Sequence, residues 1–241
     1  MRTRLLGTIA LGLAAAGCSN SLAPTAADQE LNQDVALVAA DAALDDVAQM
    51  VVPNAAPQLQ ASFEAVPFAD VSRTVTFFDT SGVEQTAYDP NTTASVRIQM
   101  SLAGDVQRSG WTASITRTRD ITVSGLEGQE TSRTWNGTGT GTIMRSSHTD
   151  GTGSRTYDMS SSATITDVVV GVPRSQNPWP LSGSITRSIT VTITRGDRTE
   201  TRTRTVTITF NGTQFATLTV GDETFEVDLA ARAVDRPTRR R

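Results

Sequence analysis

The chain has 241 residues, 37% apolar and 5% aromatic, with a formal charge of −4. Its 21 basic residues are all arginine, which excludes a P-loop lysine, a Schiff-base lysine and a Ser–Lys dyad. A single histidine and a single cysteine exclude a multi-histidine zinc site and any intrachain disulfide. The acidic balance weighs against nucleic acid as a partner.

At the N-terminus, Met1-Arg2-Thr3-Arg4 precedes an almost unbroken apolar run, Leu5 to Ala16, and then Gly17-Cys18-Ser19-Asn20. Two arginines, a short apolar run and a small-residue site fit a secretory signal peptide over residues 1–17. The run is about a dozen residues, against roughly 20 for a membrane-spanning helix. The segment Ala15-Ala16-Gly17-Cys18 resembles the lipobox of bacterial lipoproteins, with Ala15 where the usual residue is leucine. The resemblance implies cleavage before Cys18, acylation of its thiol with palmitate-type chains, and attachment to a membrane. Ser19 after the cysteine implies, in lipoproteins of this kind, sorting to the outer membrane. Removing residues 1–17 takes Arg2 and Arg4 away and moves the formal charge from −4 to −6.

Residues 18–25 read as a tether. A helix is predicted over 26–52, entered at Thr25 as a cap with Asp28 three residues on. Its apolar stripe is Leu31, Val35, Val38, Ala42, Leu44, Val47 and Val51, while Asp34, Asp41, Asp45 and Asp46 fall largely off that stripe. Pro53 and Pro57 end the helix, and 53–67 is a linker closed by Pro67.

From about residue 70 the period changes from 3.6 to 2. Val96, Ile98, Met100 and Leu102 alternate with Ser95, Arg97, Gln99 and Ser101. Ile185, Ile189, Val191 and Ile193 alternate with threonines and serines, as do Val206, Ile208 and Phe210. Strict alternation means one dry and one wet face, which an antiparallel sheet permits, and threonine suits the wet one. Turn signals at Thr80-Ser81-Gly82, Asp150-Gly151, Arg195-Gly196-Asp197, Asn211-Gly212 and Gly221-Asp222 separate the runs. The predicted fold is therefore mainly β. It is a single antiparallel, meander-like sheet of about ten long strands over 68–231, as a sandwich, an open half-barrel or a barrel-like form, preceded by one amphipathic α-helix. A disordered Arg-rich tail, 232–241, follows. Ser114–Val123 echoes Ser184–Val191 at a spacing of 70 residues, which suggests internal duplication.

The chemistry-bearing residues read modestly. His148, in Ser146-Ser147-His148-Thr149-Asp150, is a solvated loop histidine rather than a base working with Asp150 or Asp158, since no serine sits in a nucleophile elbow. Asp120, Glu127, Glu130, Asp158, Asp167, Glu200 and Glu223 mostly flank turns, so no pair stands out as a glycosidase couple. Asn91, Asn136 and Asn211 match a glycosylation sequon but read as turn asparagines. Trp111, Trp135 and Trp179 serve either as a stacking platform or as core.

No catalytic, metal or cofactor residues are assigned, and no enzymatic activity is expected. The one assigned site is lipidation at Cys18. The expected function is that of a membrane-anchored lipoprotein with a non-catalytic β domain for binding or structure in the cell envelope. Its partners are the membrane, and an envelope protein or lipid. The alternative is a carrier: a helix before long antiparallel strands is similar in architecture to the half-barrels of LolA/LolB-type carriers. Val96, Ile98, Met100, Ile189, Val191, Val206 and Ile208 would then line a cavity for an acyl chain. A membrane-embedded barrel is disfavoured. Arg73, Arg117, Arg187 and Arg195 fall on apolar faces, at about 2–4 kcal/mol each at the bilayer midplane.

Overall fold

The computed structural model describes residues 26–50, 70–108, 111–128, 130–147, 155–195, 197–230 and 238–239. Cys18, His148 and Asp150 lie outside the described residues, as do residues 53–67 of the proposed linker. The helix, α1, spans Ala26–Gln49, and Met50 closes it in a turn.

Eleven strands follow: β1 Asp70–Asp79, β2 Glu84–Gln85, β3 Thr93–Arg108, β4 Trp111–Ser124, β5 Ser132–Ser147, β6 Arg155–Gly171, β7 Pro180–Arg195, β8 Arg198–Thr209, β9 Phe215–Val220, β10 Glu223–Asp228 and β11 Thr238–Arg239. They form one antiparallel sheet in the order β11-β10-β9-β8-β7-β6-β5-β4-β3-β1-β2. The two end strands do not pair with each other, so the sheet is open. Apart from the excursion to β2, each strand pairs with its successor in sequence, which is a meander. Positive-φ glycines stand in several of the described connections, among them Gly82 at +78° between β1 and β2, Gly212 at +80° between β8 and β9, and Gly221 at +57° between β9 and β10.

The tail, expected to be disordered, contributes β11: Thr238 and Arg239 pair with Glu226 and Phe225. Asn136 is not in a turn. It stands within β5 at a bulge between Trp135 and Gly137. Its Oδ1 accepts the Asp167 N–H at 2.8 Å, and its Nδ2 donates to Asp167 Oδ1 at 3.1 Å. Asp167 occupies the left-handed region at φ +48°. On the next strand Gly183, at φ +95°, lies so close beneath the Asp167 carbonyl that a side chain there would collide with it. Register shifts on β5 and β6 thus fall side by side, and bulges of this kind increase the local twist of the strands that carry them.

The dry face is as the alternation predicts. Ile185, Ile189, Val191, Val206, Ile208 and Leu218 are buried in one cluster, and α1 lies across them, touching β7, β8, β9 and β10. The helix meets the sheet through Ala36, Ala39, Ala40 and Ala43 together with Val35, Val47 and Met50. Small side chains let the helix backbone come close to the strands, so the interface is filled without large apolar groups on the helix. Trp135 belongs to this core and Trp179 packs against it.

Val96, Ile98, Met100, Ile189, Val191, Val206 and Ile208 are all buried, between 0% and 6% exposed. The echoing segments fall on β4 and β7. Three successive antiparallel pairings make those two strands run in opposite directions, so simple translation along the sheet does not relate them.

Candidate functional site

Two arrangements stand out, one on each side of the sheet. Under the helix, strand alternation sends Arg117 and Arg119 of β4 and Arg187 of β7 to the dry side, where all three are buried. Asp46, which the helical stripe places towards water, is instead 2% exposed. Arg119 Nε and Nη2 both reach Asp46 Oδ1 at 2.9 Å, and Arg187 Nη2 bonds Asp46 Oδ2. Arg119 Nη1 also donates to the Thr118 carbonyl at 2.8 Å. One carboxylate is thus held between two guanidinium groups from strands three apart. Charges taken out of water require such pairing, since an isolated buried ion costs several kcal/mol.

Gly139 and Gly141 of β5 make room for these arginines. Gly137, Gly139 and Gly141 alternate with Thr138, Thr140 and Thr142. A methyl group at Gly139 would stand 2.5 Å from Arg119 Nη1 and 2.8 Å from its Cδ. At Gly141 it would touch Arg117 Cγ at 3.5 Å. Between the helix and these side chains remains a cavity of about 20 Å³, edged by Ala39, Ala42, Arg117, Arg187 and Ile189. That is room for one water molecule.

Nearer the start of α1, Arg204 Nε donates to Asn32 Oδ1 at 2.8 Å, and Asn32 Nδ2 to Glu223 Oε2 at 3.4 Å. Asn32 and Glu223 are buried. Polar anchors therefore tie two positions of the helix to the sheet, on opposite sides of its alanine patch.

The other face is a field of hydroxyls. Cross-strand pairs link Thr116 to Thr142 at 2.6 Å, Thr118 to Thr140 at 2.7 Å, Thr190 to Thr203 at 3.0 Å and Thr192 to Thr201 at 2.9 Å. Three shallow depressions, of about 570, 400 and 390 Å³, lie on this side; Ser72, Thr74, Thr118, Thr140 and Ser162 are among the residues lining them. At the rim, Arg97 Nε and Nη2 grip Asp120 at 2.8 and 2.5 Å. The hydrogen bond from Arg97 holds the Asp120 carboxyl below its ordinary value, and Gln99 Nε2 adds a weaker bond at 3.3 Å. The same pairing raises Arg97.

The remaining carboxylates serve locally. Glu130 accepts the Gly128 N–H at 2.8 Å, Asp167 sits in its bulge, and Glu200 pairs with Arg202 at 2.5 Å. Among the described residues no three metal-ligating side chains converge. No helix among them is long and apolar enough to cross a membrane.

Comparison with protein families, with characterised proteins and with solved structures finds no match to this chain.

Sequence reasoning missed Arg119, Asp46 and the glycine column. A signal for them was present: in Ala113, Ile115, Arg117, Arg119, Ile121 and Val123, two arginines hold the dry register of one strand. Such arginines require an acid on whatever packs above.

Proposed function

We propose that the protein is an outer-membrane lipoprotein, held by acyl chains on Cys18, whose β domain is a non-catalytic binding or structural element of the cell envelope. The observation that carries this reading is the asymmetry of the sheet. α1 packs on one face over β7 to β10, and the other face offers a broad hydroxyl surface with shallow depressions. A partner met on that face would be bound by hydrogen bonds over a wide area rather than enclosed in a pocket. The carrier alternative is the weaker reading. It requires α1 to leave the sheet and to draw Asp46 from between Arg119 and Arg187, exposing buried charge.

The test is production of the full chain in a bacterium fed labelled palmitate, followed by separation of inner and outer membranes. The wild-type chain should take up label and fractionate with the outer membrane, and Cys18→Ser should lose both properties. An unlabelled Cys18 in the wild-type chain contradicts the anchor. Stoichiometric lipid co-purifying with the protein would favour the carrier instead.

A further inference from the structure

Strand β8 pairs with β7 along its whole length, from Ser184↔Thr209 to Arg195↔Arg198, but β9 covers only Val206–Thr209. Among the described residues, then, Arg198–Thr205 is a sheet edge. Every second residue there directs its N–H and C=O away from β7. Charged residues on an edge usually discourage pairing with another strand. Their order here does the reverse.

An antiparallel pairing of β8 with a second β8 places a two-fold axis perpendicular to the sheet, midway between one residue and its copy. Centred on Arg202 or on Glu200, it sets like charges against each other. Centred on Thr201, it sets Glu200 opposite Arg202 of the other copy, twice, and Thr199 opposite Thr203, twice. The threonine ladder that already joins β7 to β8 would continue across the junction. Arg204, which would face the other copy's Arg198 at the margin, is turned toward Asn32.

We propose that two copies of this chain associate through this edge, in this register, to make one continuous sheet. The pairing is isologous and closes on itself. It does not depend on the lipid anchor.

The test uses the full chain carrying Cys18→Ser, extracted in mild detergent, so that any introduced thiol is the only one. Thr201→Cys places one sulfur on each side of the axis, on Cα atoms about 4.5–5.5 Å apart, within disulfide reach. Mild oxidation should link these chains at least about tenfold more efficiently than Thr203→Cys chains, whose thiols lie well beyond about 7 Å apart. Mixing Thr199→Cys with Thr203→Cys chains should restore linkage. In sedimentation, Arg202→Glu should convert dimer to monomer, and Glu200→Arg combined with Arg202→Glu should bring the dimer back. A wild-type monomer at every accessible concentration overturns the proposal. So does equal crosslinking at Thr201 and Thr203, and so do open-ended larger oligomers, which mark a heterologous contact.

Discussion

The same alternating strands carry polar atoms on both faces of the sheet, under opposite conditions. On the helix side, Asp46, Arg119 and Arg187 are cut off from water and held by one another. On the hydroxyl side, Thr116, Thr118, Thr140 and Thr142 pair across strands while remaining exposed. A buried ion has few alternative partners, so it constrains geometry: α1 can sit in one register only, with Asp46 between the two arginines. An exposed hydroxyl exchanges a neighbour for water at little cost, so that face tolerates change and can accept a ligand. The difference separates a side that specifies the fold from a side that is available to partners.

The largest effect that would sharpen this contrast is expected at Asp46. Asp46→Ala removes the carboxylate that both guanidinium groups face and should cost about 3–5 kcal/mol in denaturant unfolding. Replacing the trio together, by Asp46→Leu with Arg119→Met and Arg187→Met, should recover most of that loss, because an apolar group of similar volume needs no partner. A full loss in the triple variant would mean that the charges contribute more than their pairing.

Next comes the glycine column. Gly139→Val drives a branched side chain into Arg119 and should cost about 1–3 kcal/mol by overpacking. Thr140→Val, one residue on but facing water, should stay within about 0.5 kcal/mol. Equal costs would break the distinction between the faces.

The smallest effect belongs to the exposed Arg97–Asp120 pair. The folded Asp120 carboxyl lies below its ordinary value of 3.8, so its contribution is complete above that value and disappears as the pH falls through the folded one. The difference in unfolding midpoint between wild type and Asp120→Asn should therefore be small at neutral pH and vanish on acidification. Added salt should shrink it as well, since the pair is solvent-exposed.

Much of this fold was legible because alternation is local information. The runs from Val96 to Leu102 and from Ile185 to Ile193 announce their dry faces without reference to any other segment. The place of α1 was not legible. A helical stripe treats aspartate as a mark of the solvent side, and Asp46 acquires its partners from strands about 70 and 140 residues further along. Asn136 misled for a similar reason. Asn-Gly within a polar stretch reads as a turn, and only the bulge facing Asp167 shows why it belongs in a strand. Nor was it legible that, among the described residues, β9 covers only Val206–Thr209 of β8, since a strand's sequence does not state how much of it the next strand covers.

The central claim, an apolar face covered by α1 over β7 to β10 opposite an open hydroxyl face, is tested most directly by thiol accessibility at adjacent positions of β7. In the Cys18→Ser chain, Thr192→Cys, half-buried on the hydroxyl side, should react readily with a maleimide in the folded state. Val191→Cys, beneath the helix side of the sheet, should react only through opening of the fold, orders of magnitude more slowly. Comparable rates at the two positions under native conditions would contradict the claim, because they would mean that α1 does not keep that face closed.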